Sequence, residues 1–204
     1  MADIATDHAR LPIALVQTGR VSRAIAIDVA AEPLRGAAKN LAEAGAEASI
    51  ELRQGDGLAP LADGEVASVV IAGIGGVLCS RMIEDGVPKG VERLILQVNA
   101  QRPRLRATLH RVGWPLTDEW IDRSDGRYFV TMVAEPGAST ELDPTDLEFG
   151  PYLRRRRSPT YLEYLRRELE RTRGVVDRLP AQASNEAALE ARRRLAALQR
   201  ELGD

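Results

Sequence analysis

Up to about residue 135, short apolar runs alternate with stretches of helical spacing, and few folds accommodate that order. The runs cover 1–4, 24–27, 49–52, 66–71, 93–97, 115–121 and 128–134. Each is short and built largely from aliphatic residues, as a buried strand is. Between the early runs, 9–18, 33–44, 76–85 and 102–112 carry Ala and Leu at helical spacing. Pro33 suits a first helical turn, and Gly45 and Gly113 suit C-terminal stops. Strand–helix–strand units repeated at this length predict an α/β fold, a mostly parallel sheet with helices on both faces. Aromatics make up only 4% of the chain, so its core rests on aliphatic side chains, which suit such a sheet. The 204 residues hold one core of this kind plus an appendage.

The last two runs depart from that rhythm. Ile121 is followed by Asp122, Arg123, Ser124, Asp125 and Gly126 and then by the final run, which leaves no room for a helix. That is a hairpin signal, with Gly126 available for a positive φ. A doubly wound parallel sheet that ends in an antiparallel hairpin characterises Rossmann-like class I methyltransferases. A nicotinamide-dinucleotide-binding domain has no such requirement.

Residues 136–150 are rich in Pro, Gly, Ser, Thr and Asp and read as a linker or cap. Beyond them Leu162, Leu165, Leu169, Thr172, Val176 and Leu179 recur at spacings of three and four. Pro180 breaks that helix, Ser184 is placed to cap a second, and Leu195, Leu198 and Leu202 continue the spacing there. The pattern predicts an antiparallel helical hairpin or short coiled coil. The expected division is a methyltransferase-like domain over 1–135, a linker or cap over 136–153 and a basic helical hairpin over 154–204. Residues 151–204 carry 13 basic and 8 acidic side chains, whereas 1–150 carry 15 and 22. A basic extension on an acidic body suggests that one part grips a polyanion; the alternative is an Arg-rich helix that is only a solvated face.

The single cysteine, Cys79, rules out a disulfide framework within the chain. With only His8 and His110 beside it, neither a four-ligand Cys/His zinc site nor any other metal is expected. The N-terminus lacks the pattern of a signal peptide, and no apolar run reaches the ~18 residues of a membrane span. A reducing cytoplasm is therefore the expected setting.

Ligands of open α/β sheets sit at the carboxyl ends of the strands, so those ends hold the candidate site. The first strand leads through Asp3 and Ala5 to Asp7 and His8, and the second ends at Asp28. The third runs into Gly55, Asp56 and Gly57, the fourth into Ala72, Gly73, Ile74, Gly75 and Gly76, and the fifth into Gln97, Val98 and Asn99. Three carboxylates at three successive strand ends have a use. Asp3 can sit under a cationic amino-acid group, Asp28 can accept from two ribose hydroxyls, and Asp56 can accept from an adenine amino group. Singly, each is equally a turn or cap residue. Gly73, Gly75 and Gly76 let the backbone approach a flat ligand and leave N–H groups free, and the absence of a following Lys-Ser/Thr excludes a P-loop.

Residues 3–12, Asp-Ile-Ala-Thr-Asp-His-Ala-Arg-Leu-Pro, resemble the opening motif of the bacterial TrmK family, the tRNA (adenine-22-N1)-methyltransferases. Ile-Ala-Gly-Ile-Gly-Gly at 71–76 is similar to a second family motif that usually has Met at Ile74. Leu-Gln-Val-Asn at 96–99 resembles the family's Leu-Gln-Pro-Asn, and Phe-Gly-Pro-Tyr-Leu at 149–153 resembles its C-terminal segment. The resemblance runs in order from Asp3 to the C-terminus. Two positions depart from it: Ala5 where glycine is usual, and Val98 where proline is usual. Exchanging Ala5 for glycine is expected to leave stability similar or lower. Family members carry a helix and the start of the first strand before Asp3, so the chain is expected to begin inside that strand.

The resemblance implies S-adenosyl-L-methionine as cofactor, tRNA as partner and methyl transfer to N1 of an adenine. Asp3, Ala5, His8, Asp28, Asp56, Gly57, Ala72 and Gly73 are then the expected cofactor residues. N1 of adenine is a weak base that becomes cationic on methylation, so alignment and nearby negative or carbonyl groups matter most. Asp7 is the expected electrostatic partner, with capping of the following helix as its other reading. Asn99 is placed to bind the adenine edge, and the base must leave the RNA fold to reach it. Arg102, Arg104 and Arg106, with Arg154, Arg155, Arg156 and Arg157, are the expected phosphate contacts. Two other readings stay open: a class I methyltransferase of a small molecule or protein, and a non-catalytic RNA-binding or oligomerising module.

Overall fold

The computed structural model describes residues 1–139, 141–180 and 185–203. Seven strands form one sheet in the order β3-β2-β1-β4-β5-β7-β6. These are β1 (Ala2–Ile4), β2 (Ala24–Asp28), β3 (Ile50–Gln54), β4 (Ser68–Ile74), β5 (Arg93–Val98), β6 (Leu116–Ser124) and β7 (Arg127–Ala134). The first five are parallel, and β7 returns antiparallel to β5 and to β6. The expected sheet and terminal hairpin are both present. Asp125 and Gly126 make the hairpin turn, both at positive φ.

Helices α1 (Arg10–Gln17), α2 (Ala31–Ala44), α3 (Gly76–Glu84) and α4 (Arg102–Arg111) follow β1, β2, β4 and β5. Residues 55–67 cross from β3 to β4 through turns alone. Strand alternation divides the core between the two faces. On β2, Ala24 and Ala26 pack with Ala37 and Leu41 of α2, so small residues let that helix lie close. Ile25 and Ile27 point the other way, into the larger cluster with Cys79, Met82 and Ile83 of α3.

Residues 136–153, expected as a linker or cap, contain helix α5 (Pro144–Phe149) and most of α6 (Pro151–Arg156). Asp143 caps α5 by accepting from the Asp146 amide at 2.7 Å. Proline occupies the first turn of both helices, where its missing N–H costs nothing. Helices α7 (Pro159–Val176) and α8 (Glu186–Leu202) follow. Ser158 caps α7 and Asn185 caps α8, through the amides of Tyr161 and Ala188. The cap expected at Ser184 lies outside the described residues. Tyr161 meets Glu201, and Glu168 meets Arg194, so α7 and α8 run antiparallel. Leu165, Leu169 and Leu198 are buried in the same cluster as Leu116, Ile121 and Met132 of the sheet. The helical extension thus shares one continuous core with the hairpin end of the sheet. Among the described residues no helix is long and apolar enough to cross a membrane.

Candidate active site

The loop after β1 is unusual in its backbone. Ala5, Asp7 and Ala9 all have φ between 54° and 57°, in the left-handed region that disfavours side chains. Thr6 N donates to Ile27 O and Ala9 N to Thr6 O, each at 3.0 Å, which pins the loop to the end of β2. Helix α1 begins at Arg10 with no side-chain cap, so Asp7 is not its cap. The Asp7 side chain is instead 70% exposed.

Position 5 therefore has a structural reason to prefer glycine. An L-residue in this region costs roughly 1–2 kcal/mol, against about 0.5–1 kcal/mol of extra backbone entropy for glycine. Ala5→Gly is expected to raise stability by about 0.5–1 kcal/mol, which corrects the sequence-based expectation. Urea denaturation checks it, and a loss of stability would show that the Ala5 methyl makes contacts worth more than its strain.

Asp28 closes this loop from the side. Its Oδ2 accepts from the Asp7 amide at 3.1 Å and its Oδ1 from the Ala30 amide at 3.0 Å. The carboxylate is thus oriented by two backbone donors, and each oxygen keeps a lone pair for a ligand. Asp3 behaves differently. It is 5% exposed and accepts from Thr6 Oγ1 at 2.6 Å. Burial pushes its carboxyl up to about 6, against the pull of the Thr6 hydroxyl. Asp3 thus lies next to the end of β1, buried, and holds the loop through Thr6.

A carboxyl raised in the folded state binds its proton more tightly there than in the unfolded chain. Stability from Asp3 is then fully present below about pH 4 and falls as pH rises towards 6, by on the order of 2–3 kcal/mol. Asp3→Asn keeps an acceptor for Thr6 without the charge. It should flatten the pH dependence of thermal melting between pH 4 and 6 and raise the melting temperature at pH 7. An unchanged pH profile would mean that Asp3 titrates as an ordinary carboxylate.

Gly73 interrupts β4 as a bulge between Ala72 and Ile74, with φ at 80°. Three hydrogen bonds fix it. Gly73 N donates to Gln97 Oε1 at 2.9 Å, Gln97 Nε2 to Asn99 Oδ1 at 3.2 Å, and Asn99 Nδ2 to Gly73 O at 2.7 Å. Gln97, named in the sequence only as part of the fifth strand end, was given no role there, although it neighbours Asn99 with the same amide chemistry. Among the described residues, no heavy atom beyond the chain neighbours lies within 4 Å of where a Cβ would stand on Gly73 or Gly75, so open space borders this edge. Room of this kind suits a flat ligand held against backbone.

His8 serves α2. A Cβ on Gly36 would collide with the His8 ring, and Asn40 Nδ2 donates to His8 O at 2.9 Å. Asp56 is exposed and pairs with Arg81 at 3.2 Å. Gly57, at φ 56°, sits over Met82 of α3. Gly36 and Asn40 had no recognisable signal in the sequence, and Thr6 only its place in the opening motif, because their roles depend on the fold around the loop.

The expected phosphate contacts divide sharply. Arg106 is 1% exposed and cannot reach RNA; its Nε meets Glu119 Oε1 at 2.8 Å, and its Nη1 donates to Leu147 O and Glu148 O. Arg154 bridges Asp146 at 2.6 Å and Glu201 at 2.9 Å. Arg155 donates to Pro151 O and lies over Tyr152. Arg156 bonds Asp118 and Glu119 O, and Arg157 bonds Glu201. Arg154, Arg156 and Arg157 meet carboxylates of α5, β6 and α8, whereas Arg155 is exposed and, among the described residues, bonded only within α6. Arg102 and Arg104 at the start of α4 differ: Arg104 is exposed, and Arg102 lies over the Tyr164 ring.

Comparison with known proteins agrees with this geometry. The family model of the TrmK tRNA (adenine(22)-N(1))-methyltransferases matches residues 1–201. The tRNA (adenine(22)-N(1))-methyltransferase of Bacillus subtilis strain 168 is 34% identical over 193 residues, 91% of this chain and 81% of that protein. The crystal structure of the Bacillus subtilis tRNA methyltransferase TrmK superposes with a TM-score of 0.87 at 31% identity, covering 99% of this chain and 91% of that one. Streptococcus pneumoniae Sp1610 in complex with S-adenosyl-L-methionine superposes with a TM-score of 0.88 at 32% identity, covering 98% and 91%. With an ordered match over almost its whole length, this chain belongs to the TrmK family of tRNA (adenine(22)-N(1))-methyltransferases.

Proposed function

We propose that this chain transfers the methyl group of S-adenosyl-L-methionine to N1 of an adenine in tRNA, the adenine at position 22 that the family description names. The observation that carries this reading is the strand edge itself. A carboxylate fixed by two amides, Asp28, stands beside the loop of Ala5 and Asp7, next to the open space at Gly73. Family membership and a relative seen with S-adenosyl-L-methionine support it.

When bound, the cofactor supplies a methyl group made electrophilic by the sulfonium. Asp28 would accept from the ribose hydroxyls, while Ala72, Gly73 and Gly57 offer backbone at close range. Asp56 would reach the adenine amino group only by sharing its charge with Arg81. On the substrate side, Asn99 keeps one N–H and one lone pair beyond its bonds to Gly73 and Gln97. Those groups suit the edge of an adenine. The N1 lone pair forms the new bond to carbon as the carbon–sulfur bond breaks, so positive charge passes from sulfur to the base. Asp7, exposed and anionic at this edge, would stabilise that charge. No proton must leave N1, which carries none, so alignment and electrostatics suffice. Arg102 and Arg104 remain as RNA contacts on this edge.

Incubation with labelled S-adenosyl-L-methionine and unmodified tRNA is expected to transfer label to the RNA. Cofactor binding without transfer to any tRNA would favour a small-molecule or protein substrate.

A further inference from the structure

With Arg106 buried and Arg154, Arg156 and Arg157 paired to carboxylates, the question is what holds the RNA backbone. The register of the hairpin answers it. Gln97 pairs with Thr131 on β7 and Thr131 pairs with Trp120 on β6, so β7 continues past the end of β5 towards its turn. Tyr128 and its cross-strand partner Arg123 therefore project at the same edge as Asn99. There Tyr128 and Tyr164 of α7 pack edge to face, with centroids 5.4 Å apart. Three guanidinium groups cover the pair: Arg102 at 5.4 Å from Tyr164, and Arg123 and Arg167 at 5.8 and 5.9 Å from Tyr128.

We propose that Arg102, Arg123 and Arg167, held over the rings of Tyr128 and Tyr164, form a clamp for the RNA backbone beside the methyl-transfer edge. The clamp rests on tRNA being the substrate, as proposed above. An aromatic face orients a guanidinium while leaving its N–H fork outward, and that fork matches a phosphate bidentately. None of the three is committed as Arg154 is, which bridges two carboxylates. Arg102 has only a 3.5 Å contact to the Tyr164 hydroxyl, and Arg167 spends one N–H on Gly126 O. Arg123 pairs with Glu163, but both side chains are about half exposed, and such a pair yields readily to a phosphate. The Tyr128 hydroxyl is buried and has no hydrogen-bond partner among the described residues, so a donor in the clamp is unsatisfied until an acceptor such as a phosphate oxygen meets it. Helix α7 thereby gains a role. It carries Tyr164 and Arg167 to the strand edge, so the extension contributes to binding through its hairpin-facing side and not through its arginine run.

The test compares the full chain with Arg123→Gln/Arg167→Gln for affinity towards unmodified tRNA over a salt series, alongside S-adenosyl-L-methionine affinity and melting temperature. Weaker tRNA binding by roughly tenfold or more, with a salt slope shallower by about 1.4–1.8, is expected for the two lost contacts, with cofactor affinity retained. Arg123→Lys/Arg167→Lys keeps the charge without the fork and should keep the slope while recovering part of the affinity. Should the double glutamine variant fail to fold, Arg123→Gln alone gives up only an exposed pair and a ring contact, and should weaken tRNA binding about threefold with a slope shallower by about 0.7–0.9. Unchanged affinity and slope in a folded variant overturn the clamp while leaving tRNA as substrate. A wild-type chain that neither binds nor methylates tRNA overturns both readings.

Discussion

Arg106→Met is expected to lower folding stability by about 3–5 kcal/mol, because it leaves the buried Glu119 carboxylate without its counter-charge. Glu119 is fully buried, and its other partners are backbone amides, including that of Tyr152 at 3.2 Å. Burial pushes the Glu119 carboxyl above its ordinary value, against the pull of Arg106 and these amides. The pair joins three elements: α4 supplies Arg106, β6 supplies Glu119, and the carbonyls of Leu147 and Glu148 come from α5. Gly150 completes it, at φ 90° with Glu119 Oε2 2.6 Å and Arg106 Nη2 2.8 Å from where a Cβ would stand. Any side chain at position 150 would displace the ion pair. For a chain of this size the expected loss corresponds to a fall in melting temperature of roughly 6–20 °C. The double variant Arg106→Met/Glu119→Leu should recover most of it, since two apolar groups leave no uncompensated charge. A loss below about 1 kcal/mol in the single variant would contradict the role assigned to the pair.

Asp28→Ala is expected to weaken S-adenosyl-L-methionine binding roughly ten- to a hundredfold, the effect of losing a charge-assisted acceptor worth about 1.5–3 kcal/mol. Part of the effect is indirect, because Asp28 also holds the Asp7 amide. Asp28→Asn separates the two: it keeps the shape and one acceptor oxygen, and should retain affinity intermediate between wild type and alanine. Calorimetry reads the affinities, and hydrogen exchange at Asp7 reads the loop. Equal cofactor affinity in a folded alanine variant would remove Asp28 from the site.

The sheet was legible in the sequence because strand spacing, aliphatic runs and the helix-free link after Ile121 are local signals. Bounds moved by a few residues: the fourth strand, expected at 66–71, is Ser68–Ile74, since the Gly73 bulge extends it. Asp28, Asp56, Gly73 and Asn99 do gather at the strand ends, as position alone indicates. The burial of Asp3 was not legible, because exposure at a strand end depends on the loop that folds over it. The left-handed loop was hidden because Ala5 and Ala9 are not residues that announce a positive φ, although Asp7 is one that tolerates it. Helix α5 was masked by a segment rich in turn residues and α6 by the boundary expected at 153, although Pro144 and Pro151 each mark a first turn. The arginines misled most. Charge counts do not show partners, and those of Arg106 and Arg154 lie up to 47 residues away. One signal was present: Glu119 and Ile121 are two residues apart on β6, so a charged side chain was bound to share the buried face.

Mass spectrometry of nuclease-digested tRNA tests the account at its centre. Transcripts incubated with the protein and S-adenosyl-L-methionine are expected to gain one methyl group, on N1 of the adenine at position 22, and a transcript carrying guanine there should gain none. Methylation elsewhere in the RNA would contradict the proposed target, and full cofactor binding with no methylated nucleoside would contradict methyl transfer to tRNA altogether.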